Sequence, residues 1–285
     1  MTWRARVLAA VMALVVALAG AATARAADGS YVALGDSFTA GPVIPLQIPP
    51  FGCLKSDHNY PHLAAPALKF QAFRDASCSG AQTKHMTEPQ DVDPGPNPPQ
   101  FDALDAGTRM VSVGIGGNDI GFSEIIRNCQ SATTPEGQPC QDHYVVNGRD
   151  EISARIAATA PKIAEVLQGI AARSPKARIY LVNYLPIFPD EGPGCWPQIP
   201  VADADVPYLR AKEKELNAML GEQAAANGAR LVDAYTAGIG HDACQLPLVR
   251  WVEPAVPVNA AAPFHPNLFG MEGTARTLLA ATHGK

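Results

Sequence analysis

The chain has 285 residues, of which 47% are hydrophobic and 17% charged, with a formal net charge of -5 at pH 7. That length suffices for a large core in one α/β domain. An acidic balance without basic runs excludes a nucleic-acid partner and any electrostatic attraction to anionic membranes.

Residues 1–26 start with Arg4 and Arg6, continue apolar from Val7 to Ala22 and end in Ala24-Arg25-Ala26. This is the pattern of a secretory signal peptide cleaved before Ala27, which leaves residues 27–285 as the mature domain with no stable membrane anchor. An uncleaved anchor is the alternative, disfavoured because the apolar run is short and rich in alanine. Cleavage removes three arginines and no acids, so the mature charge is about -8. All six cysteines, Cys53, Cys78, Cys129, Cys140, Cys195 and Cys244, follow the signal. An even number in an exported chain, with no C-x-x-C pair, points to disulfides rather than zinc or redox chemistry. The residues alone do not choose among the possible pairings.

The first predicted strand is Tyr31-Val32-Ala33-Leu34, ended by Gly35 and followed by Asp36 and Ser37. Ser37 therefore stands in a tight turn at the carboxyl end of a buried strand, where ligands bind in open α/β sheets. Taken alone, Gly-Asp-Ser is equally an ordinary turn or helix cap. Pro42 to Phe51 is too rich in proline for a helix or a central strand. Its Ile44, Leu46, Ile48 and Phe51 either line an acyl pocket beside Ser37 or pack against the core.

A helix is predicted from His62 to Lys69 and a second strand from Phe70 to Ala76, which runs into Ser79-Gly80-Ala81. After an irregular stretch over Glu88 to Gln100, a third strand covers Arg109 to Ile115 and runs into Gly116-Gly117-Asn118-Asp119. Asn128 to Gly148 reads as a stapled excursion. Apolar residues at helical spacing predict a helix from Asp150 to Arg173 despite Pro161. A fourth strand follows over Arg178 to Tyr184, a long proline-rich loop over Pro186 to Pro207, a helix over Tyr208 to Asn227 and a fifth strand over Ala229 to Asp233. The tail carries Phe264-His265-Pro266, then a closing helix from Leu268 to His283.

Five strands alternating with helices imply a central five-stranded parallel sheet with helices on both faces. In such a sheet the ends of the first three strands share an edge, so Ser37, Gly80 and Asn118 converge on one point. Rival motifs fail: G-x-S-x-G is absent, and Gly114 to Asp119 lacks the third glycine of a dinucleotide loop.

Four blocks, Gly35-Asp36-Ser37-Phe38, Ser79-Gly80-Ala81, Gly117-Asn118-Asp119 and His265-Pro266, occur in the order found in the SGNH, or GDSL, hydrolases. The sequence resembles that family over nearly all of the mature chain, and its layout is most similar to the secreted actinobacterial lipases and esterases. The resemblance implies a three-layer α/β/α sandwich and an ester hydrolase without metal or organic cofactor; the chain is expected to be a monomer acting on a small-molecule or lipid ester. It implies Ser37 as nucleophile, His265 as base, and the Ser37 N–H, the Gly80 N–H and the Asn118 amide as oxyanion hole. It further implies disulfides joining Cys53 to Cys78, Cys129 to Cys140 and Cys195 to Cys244. Glycine at position 80 is expected to permit close backbone approach, and Asp36 and Asp119 to fix turns.

One position departs from the family. Most members have aspartate three residues before the histidine; here it is Ala262, and Val258 to Phe264 contains no acid. The expectation is a Ser37–His265 dyad oriented by the carbonyl of Ala262 or a near neighbour, with Asp233 or Asp242 as the alternative. The leading function is an esterase or lipase for lipid-like acyl esters. An acetyl esterase acting on polysaccharide, or a noncatalytic secreted binding protein, are the rivals.

Overall fold

A computed structural model describes residues 27–131 and 137–283. The predicted signal segment and residues 132–136 of the predicted excursion lie outside the described residues. Five strands, β1 (Ala27–Gly35), β2 (Phe70–Asp75), β3 (Thr108–Gly114), β4 (Arg178–Val182) and β5 (Arg230–Val232), form one parallel sheet in the order β2-β1-β3-β4-β5. Tyr31, Val32, Ala33 and Leu34 are wholly buried, as a central strand covered on both faces requires.

The register places Ala33 of β1 beside Asp75 of β2, and Gly35 beside Gly114 of β3. The chain order reverses about β1, and crevices for ligands open at such reversals, outside the carboxyl ends of the strands. Main-chain bonds extend this edge past the sheet: Ala76 N–H donates to Ala33 O at 2.9 Å and Cys78 N–H to Gly35 O at 3.0 Å. The second block is thereby carried alongside the Ser37 turn.

In chain order the helices are α1 (Ser37–Ala40), α2 (Tyr60–Leu68), α3 (Phe122–Cys129), α4 (Pro139–Tyr144), α5 (Glu151–Arg173), α6 (Val206–Ala226), α7 (Ala234–Ala237) and α8 (Leu268–His283). Helix α2 packs on α8, with Tyr60 N–H against Met271 Sδ at 3.3 Å, and α5 packs on α6. A parallel sheet whose strand order reverses at β1 takes its crossover helices on both faces, because such connections are right-handed. Helix α5 buries Ile152, Ile156, Ile163, Val166, Leu167 and Ile170, and it continues through Pro161.

Most boundaries fall within two residues of the prediction, and the differences have local causes. Asn59 caps α2 earlier than predicted by accepting His62 N–H at 3.1 Å. Helix α6 starts at Val206 because Pro207, which lacks an N–H, suits a first turn. Strand β4 stops at Val182 because Tyr184 N–H donates to Asn217 Oδ1 on α6 at 2.9 Å instead of to a strand. The three disulfides pair Cys53 with Cys78, Cys129 with Cys140 and Cys195 with Cys244. No helix among the described residues is long and apolar enough to cross a membrane.

Candidate active site

Ser37 opens α1, a single turn bent sharply out of β1. Gly35 has φ +149°, and a Cβ there would lie 2.3 Å from Thr39 Oγ1 and 2.6 Å from Gly114 O, so no larger residue fits. The wholly buried Gln100 clamps the same residue: Gly35 N–H donates to Gln100 Oε1 at 2.7 Å and Gln100 Nε2 donates to Gly35 O at 2.9 Å. Asp36 caps the turn, with Oδ1 accepting Phe38 N–H at 2.9 Å.

The other carboxylate oxygen of Asp36 accepts Tyr184 O–H at 2.6 Å, and the same phenol oxygen accepts Gly117 N–H at 2.7 Å. Tyr184 thus ties the first block to the third. Burial pushes the Asp36 carboxyl up to about 7, despite the opposing hydrogen bonds from Tyr184 and Phe38. The tyrosine was not legible as a site residue, because nothing in a strand-end Tyr distinguishes it from core.

His265 Nε2 lies 2.8 Å from Ser37 Oγ, across 228 positions of sequence. Its Nδ1 lies 2.7 Å from the carbonyl oxygen of Pro263. The carbonyl that faces Nδ1 is therefore that of the near neighbour Pro263 and not that of Ala262. The Ala262 carbonyl already accepts the backbone N–H of His265 at 3.1 Å, closing a turn in which Phe264 takes φ +60°. Burial lowers the pKa of the imidazole, against the opposite pull of the Pro263 carbonyl. Phe38 packs on the ring at 5.3 Å between centroids and Phe122 at 6.4 Å.

The acids considered as alternatives serve elsewhere. Asp233 caps α7 through Thr236 N–H and accepts Asn183 Nδ2–H at 3.0 Å. Asp242 is buried and accepts from Cys244 N–H and Gln245. The acid nearest in its effect is Glu253, which the sequence did not mark. It does not touch the imidazole, yet its N–H donates to His265 O and its carbonyl accepts Phe264 N–H, each at 3.0 Å. Its fully buried carboxylate gathers Asn259 and Asn267 side-chain amides at 2.7 Å each, Val258 N–H at 2.8 Å and Asn259 N–H at 3.1 Å. Arg250 pairs with it at 3.1 Å. Burial alone would raise its pKa, but these donors outweigh that effect and hold the carboxyl below its ordinary range.

Gly80 follows the segment bonded to Gly35, and the next carbonyl, that of Ala81, accepts Asn118 Nδ2–H at 2.9 Å. That bond aims the Asn118 amide while using one of its two N–H groups. Gln82 Nε2 donates to Asn118 O at 3.0 Å, and Asp119 accepts Thr83 N–H and O–H at 3.0 and 2.6 Å, so the second and third blocks are laced together. The N–H groups of Ser37 and Gly80 have no acceptor among the described residues. Against the protein itself a Cβ at position 80 would meet only Gln90 Nε2, at 3.5 Å. Within the fold, glycine is required there by the φ of +78°.

Ser37 and Asn118 share a pocket whose apolar walls include Ile120, Phe122, Ile125, Ile187, Phe188 and Leu209. Glu213 also lines it, its Oε1 accepting Ile187 N–H at 2.8 Å and burial pushing its carboxyl up to about 8. The proline-rich loop after Ser37 contributes nothing to these walls. Ile44 is buried in the core, and Leu46 and Phe51 face solvent.

A serine hydroxyl hydrogen-bonded to an imidazole, with unpaired N–H donors beside it on the carboxyl edge of a parallel sheet, is the constellation of a serine hydrolase. The sequence matches the model of the GDSL-like lipase/acylhydrolase family over residues 33–272, and the chain belongs to that family. It is 40% identical over 261 residues to Lipase 2 of Streptomyces coelicolor, covering 87% of this chain and 86% of the relative. Lipase 1 of the same organism is 32% identical, covering 92% and 91%. Among solved structures, the extracellular lipase of Streptomyces rimosus superposes with a TM-score of 0.73 at 26% identity, covering 89% of this chain and 99% of that one. Phospholipase A1 of Streptomyces albidoflavus has the same fold, with a TM-score of 0.75 at 24% identity and coverage of 90% and 100%. The protein is a carboxylic ester hydrolase of the GDSL lipase and esterase type.

Proposed function

We propose that this chain is an exported hydrolase of lipid-like acyl esters that works through a Ser37–His265 dyad oriented by the Pro263 carbonyl. The observation that carries this reading is the line Pro263 O, His265 Nδ1, His265 Nε2, Ser37 Oγ, with steps of 2.7 and 2.8 Å at its two ends. A carbonyl oxygen can only accept a hydrogen bond, so Nδ1 carries the proton and Nε2 is free to take one.

Ser37 Oγ attacks the ester carbonyl as its proton passes to Nε2. Negative charge collects on the carbonyl oxygen, which meets the Ser37 and Gly80 N–H groups and the second N–H of Asn118. The imidazolium returns the proton to the leaving alkoxide, and the alcohol departs from an acyl-serine. Water, deprotonated by the same imidazole, then releases the acid. The apolar pocket beside Ser37 takes the acyl chain. Export is supported by the three disulfides, which persist in oxidising compartments.

The test is hydrolysis of p-nitrophenyl esters from acetate to palmitate. Ser37→Ala and His265→Ala are expected to lower turnover by roughly 10³ or more while the far-UV circular dichroism stays unchanged. Folded Ser37→Ala protein that still turns over at the native rate removes Ser37 from the mechanism. Activity confined to acetate would replace the lipid reading with that of a small-acyl esterase.

A further inference from the structure

Large apolar side chains that face solvent are unevenly distributed over this molecule. Among the described residues all of them except Val146 and Ile239 fall in two segments, Val43 to Leu54 and Leu246 to Phe269. The first follows the Ser37 turn and the second contains His265. Exposure is high where it counts: 82% at Leu248, 79% at Val256, 68% at Val258 and 66% at Leu46. Monomeric proteins rarely leave such side chains clustered in water without use.

One hydrogen bond ties the second segment to the residue that precedes the first, and two more brace the second segment internally. Ala262 N–H donates to Pro42 O at 3.1 Å, Asn259 Nδ2 donates to Pro247 O at 2.8 Å, and His265 N–H donates to Ala262 O at 3.1 Å. Val43 is held at φ +71°, a conformation that a β-branched residue enters only when its surroundings impose it. These side chains are therefore presented by an anchored backbone.

Within the two segments themselves charge is scarce, with the partly exposed Asp57 carboxylate accepting Leu46 N–H at 3.0 Å at the edge of the first. The sequence from Pro42 to Leu54 contains no ionisable side chain except Cys53, which is tied in a disulfide. From Leu246 to Phe269 the ionisable groups are His265, already committed to Ser37, and the buried Arg250 and Glu253, which pair with each other. In a chain of net charge -5, such a surface suits a neutral apolar partner, not an ionic one.

From these features we infer that the two segments form a docking rim that seats the enzyme on the zwitterionic surface of aggregated lipid, with Val43, Leu46, Leu248, Val256 and Val258 inserted among the acyl chains. The inference rests on the lipid-ester reading above. A protein partner on this rim would crowd the approach to Ser37 and His265, whereas a lipid surface supplies the substrate. Without ionic contacts, the attachment does not depend on salt.

The test uses the full mature chain with Leu46→Ser, Leu248→Ser and Val256→Ser combined, all at exposed positions. Binding to phosphatidylcholine vesicles is read by flotation in a Ser37→Ala background, so docking is measured apart from ester cleavage. The rim substitutions are expected to weaken binding at least about tenfold, and salt is expected to leave the parent binding unchanged. With Ser37 intact, hydrolysis of emulsified ester should fall by a similar factor while hydrolysis of dissolved p-nitrophenyl butyrate stays within about twofold. Unchanged vesicle binding overturns the inference, as does binding confined to anionic vesicles and abolished by salt. A parent protein that sediments as a dimer, and a rim variant that sediments as a monomer with unaltered vesicle binding, would reassign the surface to a subunit interface. Failure to cleave dissolved ester would count against the hydrolase reading and leave the docking result standing.

Discussion

His265 works under two constraints that pull its protonation in opposite directions. The general base of the proposed dyad must be unprotonated, and burial between Phe38 and Phe122 disfavours the imidazolium. The Pro263 carbonyl favours the imidazolium only as a dipole, without the full charge that an aspartate would bring. The net shift is downward, so the imidazole stays neutral to lower pH than an ordinary histidine. The acid limb of kcat/KM against pH is accordingly expected to bend below about 6.5. A bend clearly above that value would mean that an unrecognised carboxylate stabilises the imidazolium. The same neutral imidazole costs stability in acid, since below about 6.5 the unfolded chain takes up the proton first.

The segment that carries His265 has no regular secondary structure, and Glu253 substitutes for it. One buried carboxylate gathers four N–H donors from Val258, Asn259 and Asn267 and a guanidinium from Arg250, while its own backbone brackets Phe264 and His265. Removing one partner of a buried pair leaves the other charge uncompensated, typically at a cost of about 3 to 5 kcal/mol. Glu253→Ala is therefore expected to lower Tm by roughly 10 °C or more and to lower kcat more than it raises KM. A variant with native Tm and native kcat would show that the loop holds its shape without this hub.

Across the whole molecule, acids buried near the pocket set the response of stability to pH. Asp36 and Glu213 keep folded-state pKa values of about 7 and about 8, above those of an unfolded chain. The folded state thus retains protons that the unfolded state gives up. The stability these groups contribute is complete below about pH 4 and is lost as pH rises through about 7 to 8. Glu213→Gln keeps an acceptor for Ile187 N–H and removes one of the two titrations, so Tm is expected to fall less between pH 5 and pH 8.5 than in the parent. An identical slope in both proteins would mean that Glu213 is ionised throughout.

The chain's own periodicity and punctuation determined a good deal of this. A short apolar run of β-formers ending in glycine reads as a buried strand meeting a turn, and alternation of such runs with helical spacing implies a parallel sheet, which puts Ser37, Gly80 and Asn118 on one edge. His265 and the three cystine pairs came from resemblance, since spacing cannot choose among pairings or bring residue 265 to residue 37. Only the tertiary structure decided which carbonyl faces Nδ1, that Tyr184 leaves its strand to bridge Asp36 and Gly117, and that Ile187 and Phe188 wall the pocket while Leu46 and Phe51 do not. The reason is physical: strands and helices follow from interactions between near neighbours in sequence. An irregular loop takes its conformation from distant partners such as Glu253, whose pull is invisible until the chain has folded around it.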